Sequence, residues 1–319
     1  KGISYKIPDS QKFYLFILHK GIIAILSLWY NCFMKTLRAY IAEAKRDKKA
    51  IGHFNFSNIE GLWAIAHGAQ NVGVPVIVGV SEGEERAIGI NEAVAMVRSI
   101  RSNLKIPIFL NADHHYSVDN VKKCIDAGYD SVIFDGAKLS LEENIEKSRE
   151  CVEYARKSLH DVIVEVELGY IGQSSKVLDG VPEGVSLENL TKVEDAQKLM
   201  KETGADMLAP AVGNIHGMMK GGVDPSLDIN RIREIAKATD TPLVLHGGSG
   251  NDADFEEAIR SGICVVHINT ELRKAYTEGV KKYMAENPED VAPYKYGEAG
   301  KLSMQKVVEE KLKVFSRIK

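Results

Sequence analysis

Short apolar runs rich in valine and isoleucine alternate along the chain with longer segments whose apolar residues recur at helical spacing. Eight of the short runs predict β-strands, at residues 51–56, 74–81, 106–114, 131–136, 161–168, 207–212, 242–247 and 263–269. The longer segments predict helices at residues 59–72, 90–102, 118–127, 141–158, 193–203, 229–238, 253–261, 272–286 and, at the C-terminus, 300–319.

Regular alternation of strands and helices favours a parallel sheet. Eight such units in a chain of this length favour closure into a (β/α)8 barrel, the TIM barrel. The alternative is an open doubly wound sheet, but no G-x-G-x-x-G string follows the first strand. One connection, residues 169–190, is long enough to be typical of a functional lid.

The first 33 residues have a different pattern from the rest. His19 and Lys20 interrupt their apolar stretch, and the uninterrupted part, 21–33, is shorter than the roughly 20 residues that span a membrane. From Met34 onward the sequence has the charged, amphipathic pattern of an ordinary helix. We therefore interpret residues 1–33 as an extension outside the functional domain and 34–319 as one barrel domain. A membrane anchor, a lid and an oligomer contact are the alternatives for the extension.

Composition narrows the class of protein. A chain that is 45% hydrophobic and 27% charged can bury a large core, which excludes overall disorder. Its net charge of −3 argues against a nucleic-acid binder held by bulk electrostatics, although a local phosphate pocket stays open. The four cysteines form no C-x-x-C pair, so neither a disulfide framework nor a cysteine zinc site is indicated. We expect a reducing, cytoplasmic compartment.

Polar residues recur at the carboxyl end of every predicted strand, where barrels of this kind place their active sites. The strings are HFNFSN (53–58), SEG (81–83), NADHH (111–115), FDG (134–136), EVELG (165–169), GNIHG (213–217), HGGSG (246–250) and HINTE (267–271). Eight occurrences at eight strands favour one polar site at this rim.

Alternation along the fifth strand places Glu165 and Glu167 on one face and the apolar residues 164, 166 and 168 on the other. Because the apolar face packs on helices, both carboxylates are expected to point into the barrel. Two buried carboxylates need a cation or several hydrogen-bond donors. A structural network of buried donors is the alternative to a functional site.

Three histidines, His114, His216 and His246, end the third, sixth and seventh strands. Three imidazoles with an open fourth position are typical of catalytic zinc. A single histidine at such a position is more often a hydrogen-bonded core residue, but three beside Asp113, Asp135 and Glu167 favour a metal site.

The Gly-Gly-Ser-Gly string at 247–250 precedes a predicted helix. Glycines let backbone N–H groups approach an anion, and a helix N-terminus favours negative charge. The string predicts a phosphate site or, equally, a plain turn. Thr270 and the turn at residues 213–217, with Lys220, would complete an anion pocket.

These strings together resemble the class II, zinc-dependent ketose-bisphosphate aldolases. The similarity runs in order from Met34 to the C-terminus through FNFSN (54–58), SEG (81–83), DH (113–114), FDG (134–136), ExELGxIG (165–172), GNIHG (213–217), LHGGSG (245–250) and NTELR (269–273). The resemblance implies reversible, zinc-dependent cleavage of fructose 1,6-bisphosphate to dihydroxyacetone phosphate and glyceraldehyde 3-phosphate. Tagatose bisphosphate or another phosphorylated ketose is the nearest alternative. A homo-oligomer without nucleic-acid or membrane partners is also implied.

The resemblance also implies a role for each site residue. It makes His114, His216 and His246 the zinc ligands, places Asp135 and Glu167 around a second divalent metal, and makes Asp113 the acid/base at the C4 hydroxyl. Substrate contacts are implied for Asn55 and Ser81, and His267, which we expect to point inward beside Asn269, is a candidate to bind substrate or act as a base. The phosphate of dihydroxyacetone phosphate is expected to lie against Gly217, Gly247, Ser249, Asn269 and Thr270, assisted by a monovalent cation, Na⁺ or K⁺.

This assignment is chemically consistent. Aldol cleavage of a ketose leaves a carbanion beside the C2 carbonyl, which a Lewis-acidic zinc ion stabilises without a lysine Schiff base. Asp113 then removes the C4 hydroxyl proton and returns it in the condensation direction.

The chain departs from the family pattern in two places. The loop after Gly172 reads Gln-Ser-Ser-Lys (173–176) where the family has an acidic residue that moves a proton on the dihydroxyacetone-phosphate carbon. Asp179, Glu183 or a metal-bound water are candidates to replace it. His267 stands where the family usually has asparagine. Two other functions therefore stay open: a metal phosphohydrolase, from the Asp-His-His string at 113–115, and a sugar-phosphate-binding barrel without catalysis.

Overall fold

Eight parallel strands close into one barrel, so the predicted TIM barrel is confirmed and the open doubly wound sheet is wrong. The computed structural model describes residues 35–172, 176–182, 184–185, 190–221 and 224–318. The predicted N-terminal extension, 1–33, lies outside the described residues. The barrel strands are β1 (Ile51–Asn55), β2 (Val76–Ser81), β3 (Ile108–His115), β4 (Ser131–Phe134), β5 (Ile163–Leu168), β7 (Met207–Pro210), β9 (Leu243–Leu245) and β10 (Ile263–Ile268).

Each strand pairs in parallel with the next along the chain, and β10 pairs with β1 to close the ring. Every predicted strand is present, with its ends shifted by at most two residues. A separate ribbon of two short strands, β6 (Val177–Leu178) and β8 (Met218–Met219), joins the loops after β5 and β7. Two-residue strands are too short to produce a period, which is why the sequence does not predict them.

Helices follow the strands around the outside of the barrel. They are α1 (Leu37–Asp47), α2 (Ile59–Val72), α3 (Glu82–Ile88), α4 (Ile90–Leu104), α5 (Val118–Ala127), α6 (Leu141–Ala155), α7 (Val193–Thr203), α8 (Ile229–Thr239), α9 (Phe255–Ser261), α10 (Thr270–Glu286) and α11 (Pro293–Ser316). The short helix α3 was not predicted, and α11 begins seven residues before its predicted start. None of the described helices combines the length and the hydropathy needed to cross a membrane.

Two apolar cores hold the barrel together. The outer core lies between the strands and the surrounding helices and includes Val164 and Val166 of β5. The inner core fills the amino end of the barrel, where Leu37 and Ile41 of α1 pack on inward-facing residues such as Phe109. α1 therefore closes one end of the barrel, and the carboxyl ends of the strands form the other end.

Candidate active site

A cavity of about 250 Å³ opens at the carboxyl ends of the strands. Most of the predicted site residues line this cavity: Asn55, Ser81, Asp113, His114, His216, Gly217, Gly247, Ser249, His267, Asn269 and Thr270. Three others are not among the lining residues. Asp135, Glu167 and His246 are buried, and each contacts a histidine of the site.

The three predicted metal ligands converge. Ligand atoms of His114, His216 and His246 all lie within 4.8 Å of one another. The ring of His114 is 4.6 Å from each of the other two rings, and it meets both edge to face. His216 donates from Nδ1 to the carbonyl oxygen of Gly172 at 2.6 Å, which orients its ring. The spacing allows all three imidazoles to reach one ion.

His114 has a left-handed backbone, with φ of 48°. A non-glycine residue rarely adopts this conformation, and such strain is concentrated at functional sites. The pairing of β3 with β4 shifts register between Ala112 and His115, so the strand is irregular at this point. Because of this irregularity, the side chain of His114 lies at the cavity, and the side chain of the adjacent His115 does not.

Three carboxylates surround the histidines. Glu165 Oε1 lies 2.6 Å from His246 Nε2, and Glu167 Oε2 lies 3.2 Å from His246 Nδ1 and 3.3 Å from His114 Nδ1. Asp135 Oδ2 lies 3.0 Å from His114 Nδ1. The sequence therefore predicted correctly that Glu165 and Glu167 point into the barrel.

Burial and these carboxylates act in opposite directions on the imidazoles. Burial lowers the pKa of His216 to about 4, which keeps its ring neutral, as a metal ligand must be. Burial also disfavours a charged His246, but the Glu165 and Glu167 carboxylates outweigh it and raise the pKa of His246 to about 9. The site thus has an excess of negative groups that attracts cations.

The donor set fits a bound metal ion. In the described part of the chain, the carboxylates of Asp113, Asp135, Glu165 and Glu167 contact imidazole, amide and backbone N–H groups rather than lysine or arginine. His246 Nδ1 and Glu167 Oε2 lie 3.2 Å apart in buried positions, yet neither atom has a hydrogen-bond partner of normal geometry. Orphaned ligand atoms beside uncompensated negative charge are what a divalent cation satisfies. His114, Asp135 and Glu167 form a second group with metal-ligand spacing.

Asp113 lies beside this cluster, at the cavity. Its Oδ2 accepts from Asn55 Nδ2 at 2.7 Å, and its Oδ1 lies 3.4 Å from His267 Nδ1. Burial acts to raise the pKa of Asp113, but the neighbouring imidazoles, His114 and His267 among them, hold it well below its usual range. Asp113 is therefore ionised and able to accept a proton.

Three imidazoles stack inside the barrel. The His53 and His267 rings are 3.5 Å apart and almost parallel, and His267 lies 4.2 Å from His246. A Cβ at Gly79 would lie 2.3 Å from the His53 ring, so only glycine leaves room for it. His53 Nε2 lies 3.0 Å from Asn111 Oδ1. The stack fixes His267 against Asp113.

The glycine-rich turns form the opposite wall of the cavity. Gly247 has a φ of 61°, and a Cβ there would lie 2.0 Å from the carbonyl oxygen of Ile215, so the two loops touch through their backbones. Ser249 Oγ accepts from the backbone N–H of Glu271 at 3.4 Å, which joins the loop to the start of α10. Backbone N–H groups and a helix N-terminus at one wall form an anion-binding surface.

Two predicted contributors lie elsewhere. Lys220 is exposed and pairs with Asp179 at 3.3 Å, and neither residue lines the cavity. The expected role of Lys220 in the anion pocket is therefore wrong, and Asp179 does not supply an acid at the cavity. Residues 173–175 and 183 lie outside the described residues.

Sequence reasoning gave no individual role to several residues of the cavity, although three of them lie in the strings SEG (81–83) and NTELR (269–273). They are Glu82, Gly83, Arg86, Tyr116 and Arg273. Glu82 and Arg86 are four residues apart in α3, and Arg273 follows Thr270 by three residues in α10. Residues at these spacings share a helix face. For Arg273 the spacing from Thr270 was an available signal, whereas Ser81 is one residue from Glu82 and five from Arg86 and gives no such signal.

Glu84 ties these groups together. Its Oε2 accepts from Asn55 Nδ2 at 2.9 Å and from Ser81 Oγ at 2.9 Å, and its Oε1 accepts from Arg273 at 2.5 Å. The backbone N–H of Ser81 also donates to Glu84, which completes a capping box at the start of α3. One buried carboxylate thus positions three residues of the cavity.

Comparison with known proteins agrees with this geometry. Residues 35–318 match the family described as fructose-bisphosphate aldolase class-II. The chain belongs to the class II fructose-bisphosphate aldolase family. It is accordingly a metal-dependent carbon–carbon lyase that acts on phosphorylated sugars.

Several relatives illustrate the range of this family. The chain is 36% identical to a 6-phospho-5-dehydro-2-deoxy-D-gluconate aldolase of Shouchella clausii, over 86% of this chain and 92% of that protein. It is also 36% identical to a fructose-bisphosphate aldolase of Geobacillus stearothermophilus, over 88% and 96%. The crystal structure of the YdjI aldolase from Escherichia coli K12 matches with a TM-score of 0.72 and 27% identity, over 88% and 96%. These relatives differ in named substrate, so the family alone does not define the sugar.

Proposed function

We propose that this class II aldolase uses zinc to cleave fructose 1,6-bisphosphate reversibly to dihydroxyacetone phosphate and glyceraldehyde 3-phosphate. One observation carries the proposal: three imidazoles converge at the wall of a cavity, two of them lining it together with Asp113, and groups suited to anions lie on two of its sides. The glycine-rich loops after β7 and β9 form one side. Ser81, Arg86 and Arg273 lie towards β2 and α10.

We assign the metal to His114, His216 and His246, with Asp135 and Glu167 around a second divalent position. Zinc bound there supplies Lewis acidity towards the C2 carbonyl and its neighbouring hydroxyl. Glu165 accepts from His246 Nε2 and orients the ring, the usual task of a carboxylate behind a metal-ligating histidine, which leaves Nδ1, on the side of Glu167, for the ion.

Asp113 is the proposed base. It takes the C4 hydroxyl proton as the C3–C4 bond breaks, and it returns that proton in condensation. Asn55 holds one oxygen of Asp113, which leaves the other oxygen facing His267. Gly217, Gly247, Ser249, Asn269 and Thr270 bind the phosphate of the dihydroxyacetone-phosphate half and keep the substrate in register.

The arginines make a second substrate chemically reasonable. In 6-phospho-5-dehydro-2-deoxy-D-gluconate, a carboxylate stands at the end where fructose 1,6-bisphosphate has its second phosphate. Both anions suit the planar donors of Arg86 and Arg273. Tagatose 1,6-bisphosphate differs from the fructose compound only in configuration at C4, beside Asp113.

The test is release of dihydroxyacetone phosphate from each of these three compounds by the full chain, in a coupled assay. All three compounds give this product on aldol cleavage, so one readout compares them. We expect the highest kcat/KM with fructose 1,6-bisphosphate, loss of activity with a chelator, and recovery when zinc is restored. A higher kcat/KM with either other compound would reassign the substrate. Failure of all three with zinc bound would support a barrel without catalysis.

Four further expectations remain predictions from the sequence. They are a functional domain at residues 34–319, a homo-oligomer, a cytoplasmic location and a monovalent cation, Na⁺ or K⁺, beside the phosphate pocket. Mass measurement in solution tests the homo-oligomer. Activity in buffers that differ only in Na⁺ or K⁺ tests the monovalent cation.

A further inference from the structure

A second cluster of metal-ligating side chains lies outside the candidate active site. Glu85 of α3, His115 at the end of β3 and Cys124 of α5 have ligand atoms within 4.8 Å of one another. His115 and Cys124 are completely buried, and the Glu85 side chain is 9% exposed. His115 directly follows His114, but its side chain packs with Cys124 in the outer core rather than at the cavity.

The polar atoms of these three side chains lie close together, and His115 and Cys124 each contact a different oxygen of the Glu85 carboxylate. Glu85 Oε2 lies 3.1 Å from His115 Nε2, Cys124 Sγ lies 3.5 Å from the same nitrogen, and Cys124 Sγ lies 3.2 Å from Glu85 Oε1. Zinc bonds of about 2.0 to 2.3 Å in a tetrahedral site separate the ligand atoms by roughly 3.3 to 3.7 Å. The two separations from His115 Nε2, 3.1 Å to Glu85 Oε2 and 3.5 Å to Cys124 Sγ, are close to the edge lengths of such a tetrahedron.

Hydrogen bonding alone leaves the cluster incompletely satisfied. His115 Nε2 faces both a carboxylate oxygen and a sulfur, although one ring nitrogen makes one strong hydrogen bond. The other ring nitrogen, Nδ1, is buried without a hydrogen-bond partner. A carboxylate oxygen, an imidazole nitrogen and a sulfur that converge within 4.8 Å in a buried position form a donor set that one ion can satisfy together.

We propose that Glu85, His115 and Cys124 bind a divalent transition-metal ion of the zinc type, at a site separate from the three-histidine cluster. Nitrogen, oxygen and thiolate donors are the set that zinc accepts. Binding replaces the thiol proton of Cys124, which leaves to solvent. One carboxylate, one thiolate and a doubly charged cation then sum to zero charge, which suits a buried position.

The site would join parts of the fold that shape the cavity. α3 carries Glu85 on the same short helix as Glu82 and Arg86, which line the cavity. Tyr129, completely buried after α5, donates its hydroxyl to Glu85 Oε1 at 3.1 Å and acts as an outer partner that orients the carboxylate. The bound ion thus ties α3 to β3 and α5.

Cobalt(II) substitution tests the site, because a thiolate ligand produces a near-ultraviolet charge-transfer band that three histidines cannot produce. The full chain is stripped with a chelator and titrated with Co²⁺. We expect the thiolate band in the unmodified protein and its loss in Cys124→Ser. The band persists in Cys151→Ser, which alters an equally buried thiol outside every metal-ligand group found in the described residues.

His216→Ala separates this proposal from the proposed function, since it removes a ligand of the other site and leaves the thiolate band intact. Absence of the band at saturating Co²⁺, or its survival in Cys124→Ser, would overturn the proposal. If Cys124→Ser does not fold, X-ray absorption of the zinc-loaded unmodified protein decides. A Zn–S bond supports the site, and a shell of nitrogen and oxygen alone contradicts it.

Discussion

The inner face of the barrel changes character within two residues along the same strands. Near the amino end, Ile51, Ile77, Phe109, Ile163 and Val265 pack in the inner core under α1. Two residues further towards the carboxyl end, the same strands present His53, Gly79, Asn111, Glu165 and His267. Because residues i and i+2 share a face, both layers point to the barrel axis.

The two layers divide stability and chemistry between them. The apolar layer contributes through burial and close packing, and changes there alter the free energy of unfolding. The polar layer is equally buried, yet it contains charged and orphaned groups that an apolar layer would avoid. Such groups are stable only when they are mutually paired or neutralised by a bound ion. We therefore expect substitutions in the polar layer to affect activity and substitutions in the apolar layer to affect folding.

The largest effect is expected from His216→Ala. Loss of one of three imidazoles removes the metal and the activity together, a fall of several orders of magnitude. Bound metal after dialysis and turnover in the aldolase assay are measured side by side. Retention of full activity would refute the ligand assignment.

Asp113→Ala is expected to retain the metal and to lower turnover by about 10² to 10⁴-fold, because a positioned general base is lost. The metal content provides the control that distinguishes this variant from His216→Ala. Near-normal turnover would remove Asp113 from the proposed mechanism.

Ile163→Ala tests the apolar layer, two residues below Glu165. The cavity that it creates should lower the free energy of unfolding by about 2 to 5 kcal/mol, measured by denaturant titration. Ile163→Val, the matched control, should cost about 0.5 to 1.5 kcal/mol. Bound metal and turnover should stay close to normal at temperatures where the variant is folded. A metal defect would show that the two layers are coupled.

His267→Asn replaces the unusual histidine by the residue that the family pattern has there. The amide cannot stack on His53 and His246 in the same way, so its contact with Asp113 is loosened. We expect metal to be retained and turnover to fall by about 10 to 100-fold, as for other groups that orient a site. Unchanged turnover would mean that His267 only fills space.

The smallest effect concerns pH. Burial lowers the pKa of His53 to about 4, below its ordinary 6.5. Between these values the unfolded chain binds a proton that folded His53 does not, so this residue makes stability fall as the pH falls. We expect the free energy of unfolding of the chelator-treated protein to fall as the pH is lowered through this range. In His53→Asn the fall should be smaller, by at most about 1.4 kcal/mol per pH unit. Parallel pH profiles for both proteins would contradict this.

Much of this molecule was predictable because parallel strands and amphipathic helices have different periods. All eight strands and the inward direction of Glu165 and Glu167 follow from local pattern. The helix α3 was missed because its seven residues follow β2 directly and span only two turns. The roles of Arg86 and Arg273 were not predicted, because packing decides which face of α3 and of α10 meets the cavity.

Local sequence determined the order of strands and helices and the polar character of the rim at the carboxyl ends of the strands. Tertiary structure alone decided which of those polar groups meet. His114 is 102 residues from His216, and His216 is 30 residues from His246. Nothing in the local sequence requires side chains so far apart in the chain to lie within a few ångströms of one another. Closure of the barrel brings them together, because each strand ends at the same rim. The separation of His114 from its neighbour His115 has a local cause instead, the left-handed backbone of His114 at the irregular end of β3.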